Sequence, residues 1–192
     1  MRRFIDRSLP VETMAKSDAF FIRHSVTSNG STFTQSEADL GSFVNLGVSK
    51  STLLRIHNIS VQYADANSFV GLLTDATSNQ IVWQLTTQTQ TDLVYATDKS
   101  VVASGKLTLC NGQIAEDGSA AADFATNNWI EALDIAPQDW THGYLIGVDS
   151  LFLGVDLLGA LDSGDVVISI VMECTLENAT QASSTALALS QQ

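Results

Sequence analysis

Apolar and polar residues alternate along much of this chain, most cleanly from Gly164 to Glu177. Val166, Ile168, Ile170, Met172, Cys174 and Leu176 hold the even positions, a period of two that predicts a long strand with one buried face. The odd positions pass from Val167 and Val171 to Glu173, Thr175 and Glu177, so the second face turns polar toward its end. Phe20 to Thr27 predicts the first strand, closed by a turn at Ser28-Asn29-Gly30-Ser31, since Asn-Gly readily takes positive φ. Thr32 to Gln35 and Leu40 to Leu46 read as short strands or extended loop. Ser51 to Tyr63 predicts a second long strand. Neither of its faces is cleanly apolar, which points to a bulge or a change of burial partway along.

Ser68 to Thr74, Ile81 to Thr87 and, more weakly, Leu93 to Tyr95 continue the strand series. Val101 to Leu109 is interrupted at Ser104-Gly105 and is followed by a turn signal at Asn111-Gly112. Tyr144 to Val155 is a strand pair or one bent strand, with Gly147 and Gly154 at the bends. Glu116 to Leu133 has the least β character, and the spacing of Phe124, Trp129, Ile130 and Leu133 predicts a short helix in a surface insertion. Pro137 to Trp140 is a loop. Beyond Glu177 the residues are small and polar, a tail expected to lack order or to take it from a partner. The expected organisation is an N-terminal arm over 1–19, a sandwich domain over 20–177 and a C-terminal tail over 178–192. About eight strands without βαβ alternation or repeat predict an all-β chain, an antiparallel β-sandwich of Greek-key or jelly-roll type. Such a sandwich leaves strand edges that two prolines and four lysines protect poorly, and self-association would cover them.

A length of 192 residues suits one domain. No run of about 18 apolar residues is present to cross a membrane as a helix. The start, MRRFIDRSLPVE, lacks the apolar core of a signal peptide, so the expected site of synthesis is a cytoplasm. All nine Lys and Arg lie at or before Lys106, balanced there by nine acidic residues, and twelve acidic residues follow with no base among them. The net charge of −12 therefore belongs to the second half, a surface that repels nucleic-acid phosphates and favours solubility. The arm through Arg23 has five basic residues against three acidic, too few for a genome-condensing tail.

Candidate chemistry is sparse. His24, His57 and His142 lack a second ligand at metal spacing. Asp149, Asp156, Asp162 and Asp165 do not follow the odd-position spacing of a calcium loop. No nucleophile elbow or glycine-rich phosphate loop occurs, and Glu116-Asp117 reads as a solvated pair in a loop. No catalytic residue, metal ligand or cofactor site is expected. Cys110 and Cys174 read as buried free thiols, with a single bridge between them as the alternative. Trp83, Trp129 and Trp140 could line a sugar site or anchor a core or an interface.

The modest arm, the strands from FFIRHSVT through STLLRIHNISVQY to GDVVISIVMECTLE, and the small polar tail together resemble a single jelly-roll capsid protein of an icosahedral virus. The likeness covers residues 20–177 at the level of architecture. In style it is most similar to the small acidic capsid subunits of archaeal and related bacterial viruses, whose shells commonly surround a membrane or another protein layer. The resemblance implies a non-enzymatic virion protein that self-assembles into capsomers and a shell, with other capsid proteins or an internal membrane as further partners. It also implies little direct binding of nucleic acid, given the missing Arg-rich arm, and no small-molecule substrate. Phe4, Trp129 and Trp140 are then the candidate contacts between subunits. A carbohydrate-binding β-sandwich, with Trp83 or Trp140 stacking on sugar, is the competing expectation.

Overall fold

The structure, a computed structural model, describes residues 18–67, 79–113, 125–161 and 164–192. Its strands are β1 (Phe20–Thr27), β2 (Thr34–Asp39), β3 (Lys50–Asp65), β4 (Asn79–Thr86), β5 (Val101–Gln113), β6 (Ala125–Ile135), β7 (Tyr144–Ile146), β8 (Ser150–Leu157) and β9 (Val166–Thr180). One helix, α1 (Gln181–Ser190), follows. The strands form a four-stranded sheet, β1-β9-β3-β7, and a five-stranded sheet, β2-β8-β4-β5-β6. Every pairing is antiparallel.

The pairing is nested. β1 pairs with β9, β2 with β8, β3 with β7 and β4 with β5, so the chain is one long ribbon doubled back on itself. Rolling that ribbon brings β9 beside β3 and β8 beside β4, while β6 adds outside β5. This is the jelly-roll topology of the expected all-β sandwich.

The period-two pattern that singles out β9 is used as predicted. Val166, Ile168, Ile170, Met172 and Cys174 are all buried against Ile81, Trp83 and Leu85 of β4 and Leu151, Leu153 and Val155 of β8. Burying each such side chain contributes about 1.5–3 kcal/mol relative to exposure, so this interior face dominates stability. β3 carries the expected bulge. Its register with β9 shifts between Ile56 and Asn58, which lets Leu54 and Ile56 before the shift and Ile59 after it all face the core.

Other expectations are corrected. Residues Ala125 to Leu133, within the expected helical insertion, lie in β6, while 116–124 fall outside the described residues, as does the strand expected over Ser68 to Thr74. The helical look of the apolar spacing in β6 comes from exposed Ile130, opposite Thr108, which stands on the other face of the strand from Leu133, opposite Gly105. Asn111-Gly112 is no turn, because β5 runs on through it, Asn111 opposite Asn127 and Gly112 opposite Thr126. Leu40 to Leu46 is no strand, since the amides of Phe43 and Val44 both bond the Leu40 carbonyl in a turn. Leu93 to Tyr95 belongs to the loop between β4 and β5. Of the two readings of Tyr144 to Val155, the strand pair holds: β7 and β8 part around Gly147, where a side chain would meet Leu187 of α1 at 3.0 Å.

The C-terminal residues take order from the chain itself, against the expectation of a free tail. Thr180 accepts the Ser183 amide at the start of α1, and the buried Ser184 hydroxyl donates to Ser51 of β3 at 2.9 Å. Gln191, also buried, closes the segment: its side chain bonds the Leu145 carbonyl and the Gly147 amide, and its own carbonyl accepts from Thr87. Three more side-chain amides likewise donate to and accept from a distant stretch of backbone. Asn79 holds Gly159, Gln84 holds Val94, and Gln138 holds Ile59. Each fastens a loop where no strand continues the ladder.

Candidate functional site

The residues that could carry chemistry are dispersed by the fold. His57 bonds the Thr175 hydroxyl through Nε2 at 2.9 Å, and His24 faces inward from β1 with a buried, unpartnered Nε2. His142 contributes only its carbonyl, to Arg55. Asp165 accepts the Ser28 hydroxyl and the Gly30 amide, so it fastens the turn after β1, where Gly30 has φ 57°. Asp156 accepts the amide of Leu157, while Asp162 and Glu116-Asp117 lie outside the described residues. Among the described residues no three His, Cys, Asp or Glu side chains converge on a metal-sized site. Cys174 is a free buried thiol whose pKa burial pushes up to about 12, so no bridge joins it to Cys110 and it stays protonated at neutral pH.

The tryptophans separate by environment. Trp83 is fully buried, its Nε1 donating to the Tyr63 hydroxyl at 2.9 Å, and so it cannot stack on a sugar. A side chain at Gly105 would come within 2.9 Å of that indole nitrogen, so glycine is what lets the ring lie over β5. Trp140 is 53% exposed, at the end of a single 3-10 turn, Pro137–Asp139. Trp129 sits in β6 opposite Leu109, and Phe4 lies outside the described residues.

The loop bearing Trp140 is anchored by an ion pair that no residue pattern along the chain singles out. Arg55 donates from Nε and Nη2 to the two Glu177 oxygens at 2.6 and 2.8 Å, and from Nη1 to the His142 carbonyl at 2.6 Å. The bond to Glu177 raises the Arg55 pKa further above its ordinary value.

What the fold does assemble is an open seam between the sheets. β3 is paired along its length with β9, but on its other edge β7 covers only Leu54 to Ile56. Gln138 then occupies the Ile59 peptide, accepting its N–H at 3.2 Å and donating to its C=O at 3.1 Å. Backbone groups of a strand alternate in direction, so the peptides of Val61 and Tyr63 point to the same edge as Ile59. Among the described residues no group bonds them there.

Close to this edge is β6, the outer strand of the other sheet: the Tyr63 hydroxyl bonds the Trp83 indole, and the space at Gly105 touches both that indole and the Ala132 carbonyl of β6. Leu133 lies opposite Gly105, whose missing side chain would point at Trp83, so Leu133 stands on the inner side of the sheet yet is 39% exposed. Ile130, Glu131 and Asp134 are exposed beside it, with Asp134 3.0 Å from Lys106. Burial pushes the Tyr63 pKa up to about 12, and the negative charges of Glu131 and Asp134 add to that rise.

No protein-family model and no curated protein matches the chain. Among solved structures it is similar to VP1 of Merkel cell polyomavirus in complex with GD1a oligosaccharide, with a TM-score of 0.34 at 8% identity over 84% of this chain and 95% of that one. It is similar also to the unassembled pentamer of the same VP1, with a TM-score of 0.34 at 8% identity over 86% of this chain and 97% of that one. Likeness at this level leaves function to be argued from the chain's own residues.

Proposed function

We propose that the protein is a viral structural protein, a major capsid subunit that assembles with its own copies into an icosahedral shell through jelly-roll flanks and terminal arm. The observation that carries the reading is the nested strand pairing around a well-filled core, combined with edges of β3 and β6 that no strand among the described residues pairs. Jelly rolls serve as shell and lectin domains, and an open edge invites another strand. Exposed Phe21, Ile130, Leu133 and Trp140 supply apolar contact area on such flanks. A standard interface buries about 1,600 Å² in total, so a subunit with several neighbours gains much of its stability from assembly.

Within that class, the acidic second half favours the capsid type of archaeal and related bacterial viruses, located in the virion, with other capsid proteins or an internal membrane as further partners. The lectin alternative keeps only Trp140 as a stacking platform, since Trp83 lies in the core. The hollow of about 460 Å³ bounded by Thr87, Gln88, Asp149 and Phe152 holds no paired acid and base.

Electron microscopy of the purified protein at high concentration tests the reading: regular shells or rings are expected, and material that stays monomeric in every solvent would overturn it. Sugar binding by such a monomer in a glycan screen would favour the lectin. Removing residues 1–15 should weaken assembly more than folding; equal loss of both would count against the arm as a tie.

A further inference from the structure

We propose that the open edge of β3 is the docking position for residues 2–9 of a second copy's N-terminal arm, which adds to the four-stranded sheet as one more strand. The inference rests on the self-assembly reading above and names both the segment exchanged and its seat. Its first support is the backbone. The peptides of Val61 and Tyr63 lie beyond the reach of β7, next to an Ile59 peptide already satisfied by a side-chain amide. An extended segment running there would meet the same two groups that Gln138 meets at Ile59, twice over.

The second support is complementarity. The seam is bordered by Leu133 and, on the same face of β6, by the exposed carboxylate Glu131, in a chain whose net charge of −12 lies after Lys106. A second copy's acidic body is repelled from such a place. Residues 2–16 are the exception in this chain, with Arg2, Arg3, Arg7 and Lys16 against Asp6 and Glu12. Extended, Arg3, Ile5, Arg7 and Leu9 fall on one side, which offers an apolar residue to Leu133 with a guanidinium beside it for Glu131. Pro10, which lacks an N–H, ends the strand.

The third support is direction, and it selects another copy over the arm's own chain. Cys174 lies opposite both Phe20 and Ile56, and Ile168 opposite both Val26 and Tyr63. The chain thus enters β1 level with Ile56 and comes from the side away from Tyr63. To reach its own seam the arm would have to reverse and cross β9 and β3, whereas a neighbour's arm needs no reversal.

The test uses full-length chains with Cys110→Ser, leaving the buried Cys174 in place. Chains carrying Ile5→Cys are mixed with chains carrying Leu133→Cys, brought to assembly conditions and oxidised. Because a docked segment experiences a local thiol concentration near millimolar, the mixed disulfide should form at least about tenfold more than in a mixture of Ile5→Cys with Leu158→Cys. Leu158 is 76% exposed at the opposite end of β8 from Ser150 and serves as the accessible reference. Glu131→Cys should behave like Leu133→Cys, which guards against a folding defect at one site. Regular particles with equal yields at Leu133 and Leu158 would overturn the docking while leaving self-assembly standing. A chain carrying both Ile5→Cys and Leu133→Cys that links only to itself would overturn the exchange between copies, and a failure to assemble at all would overturn both readings.

Discussion

Replacing Glu177 with glutamine removes one charge from a pair that water barely reaches. The Arg55 side chain is 17% exposed and that of Glu177 8%, and the contact is a two-point one at 2.6 and 2.8 Å. Removing one partner of a fully buried pair costs about 3–5 kcal/mol, because the other charge is left without compensation. Residual access of water to the guanidinium offsets part of this, which sets the expected loss for Glu177→Gln at about 2–3 kcal/mol. For a domain of this size that corresponds to a melting temperature lower by about 5–10 °C. Urea unfolding of the monomer at pH 7 measures it, and Arg55→Met with the double variant completes a cycle whose coupling should be at least about 1 kcal/mol. A loss below about 0.5 kcal/mol, or costs that simply add in the double variant, would refute the reasoning. Since Arg55 also holds the His142 carbonyl, the substitution should loosen the loop of Trp140 and impair assembly in step with stability.

Two further outcomes are expected. Cys174 and Tyr63 both have pKa values pushed up to about 12, by burial first, whereas in an unfolded chain they ionise near about 8.5 and 10. A raised folded value means that the contribution is complete below the unfolded value and is lost as pH rises, so stability should fall progressively from about pH 8.5 toward 12. Urea midpoints at neutral and alkaline pH would contradict this if they stayed flat, as would labelling of Cys174 by a thiol reagent faster than unfolding. Trp140→Ser should change monomer stability by less than about 0.5 kcal/mol, because the indole is half exposed. It should raise the concentration needed for assembly about tenfold, as loss of an aromatic anchor does, and an unchanged threshold measured by light scattering would remove Trp140 from the contact.

Much of the sandwich was legible because burial on one face writes itself into the sequence with period two. β9 and β1 were read almost to the residue, and the mixed faces of β3 correctly announced its bulge. β6 was missed for the opposite reason. It is an outer strand whose exposed Ile130 and Leu133 stand on opposite faces, so its apolar residues do not mark one buried side. α1 was missed because its small uncharged residues carry no apolar stripe, and what holds it is a set of specific bonds at Ser184 and Gln191. The open seam could not be read at all. It depends on how short β7 is relative to β3 and on where Gln138 falls in space, and neither leaves a pattern along the chain.

The four side-chain amides that bond two ways to distant backbone carry a consequence for how the molecule ages. Uncharged links of this kind are indifferent to ionic strength, so the loops they hold stay fastened as the salt content of the medium changes. Their weakness is chemical: hydrolysis with loss of ammonia turns an amide into a carboxylate, which can still accept a proton but no longer offers one. Asn79, Gln84, Gln138 and Gln191 are therefore slow clocks, each able to unfasten one loop without any change in the strands it spans.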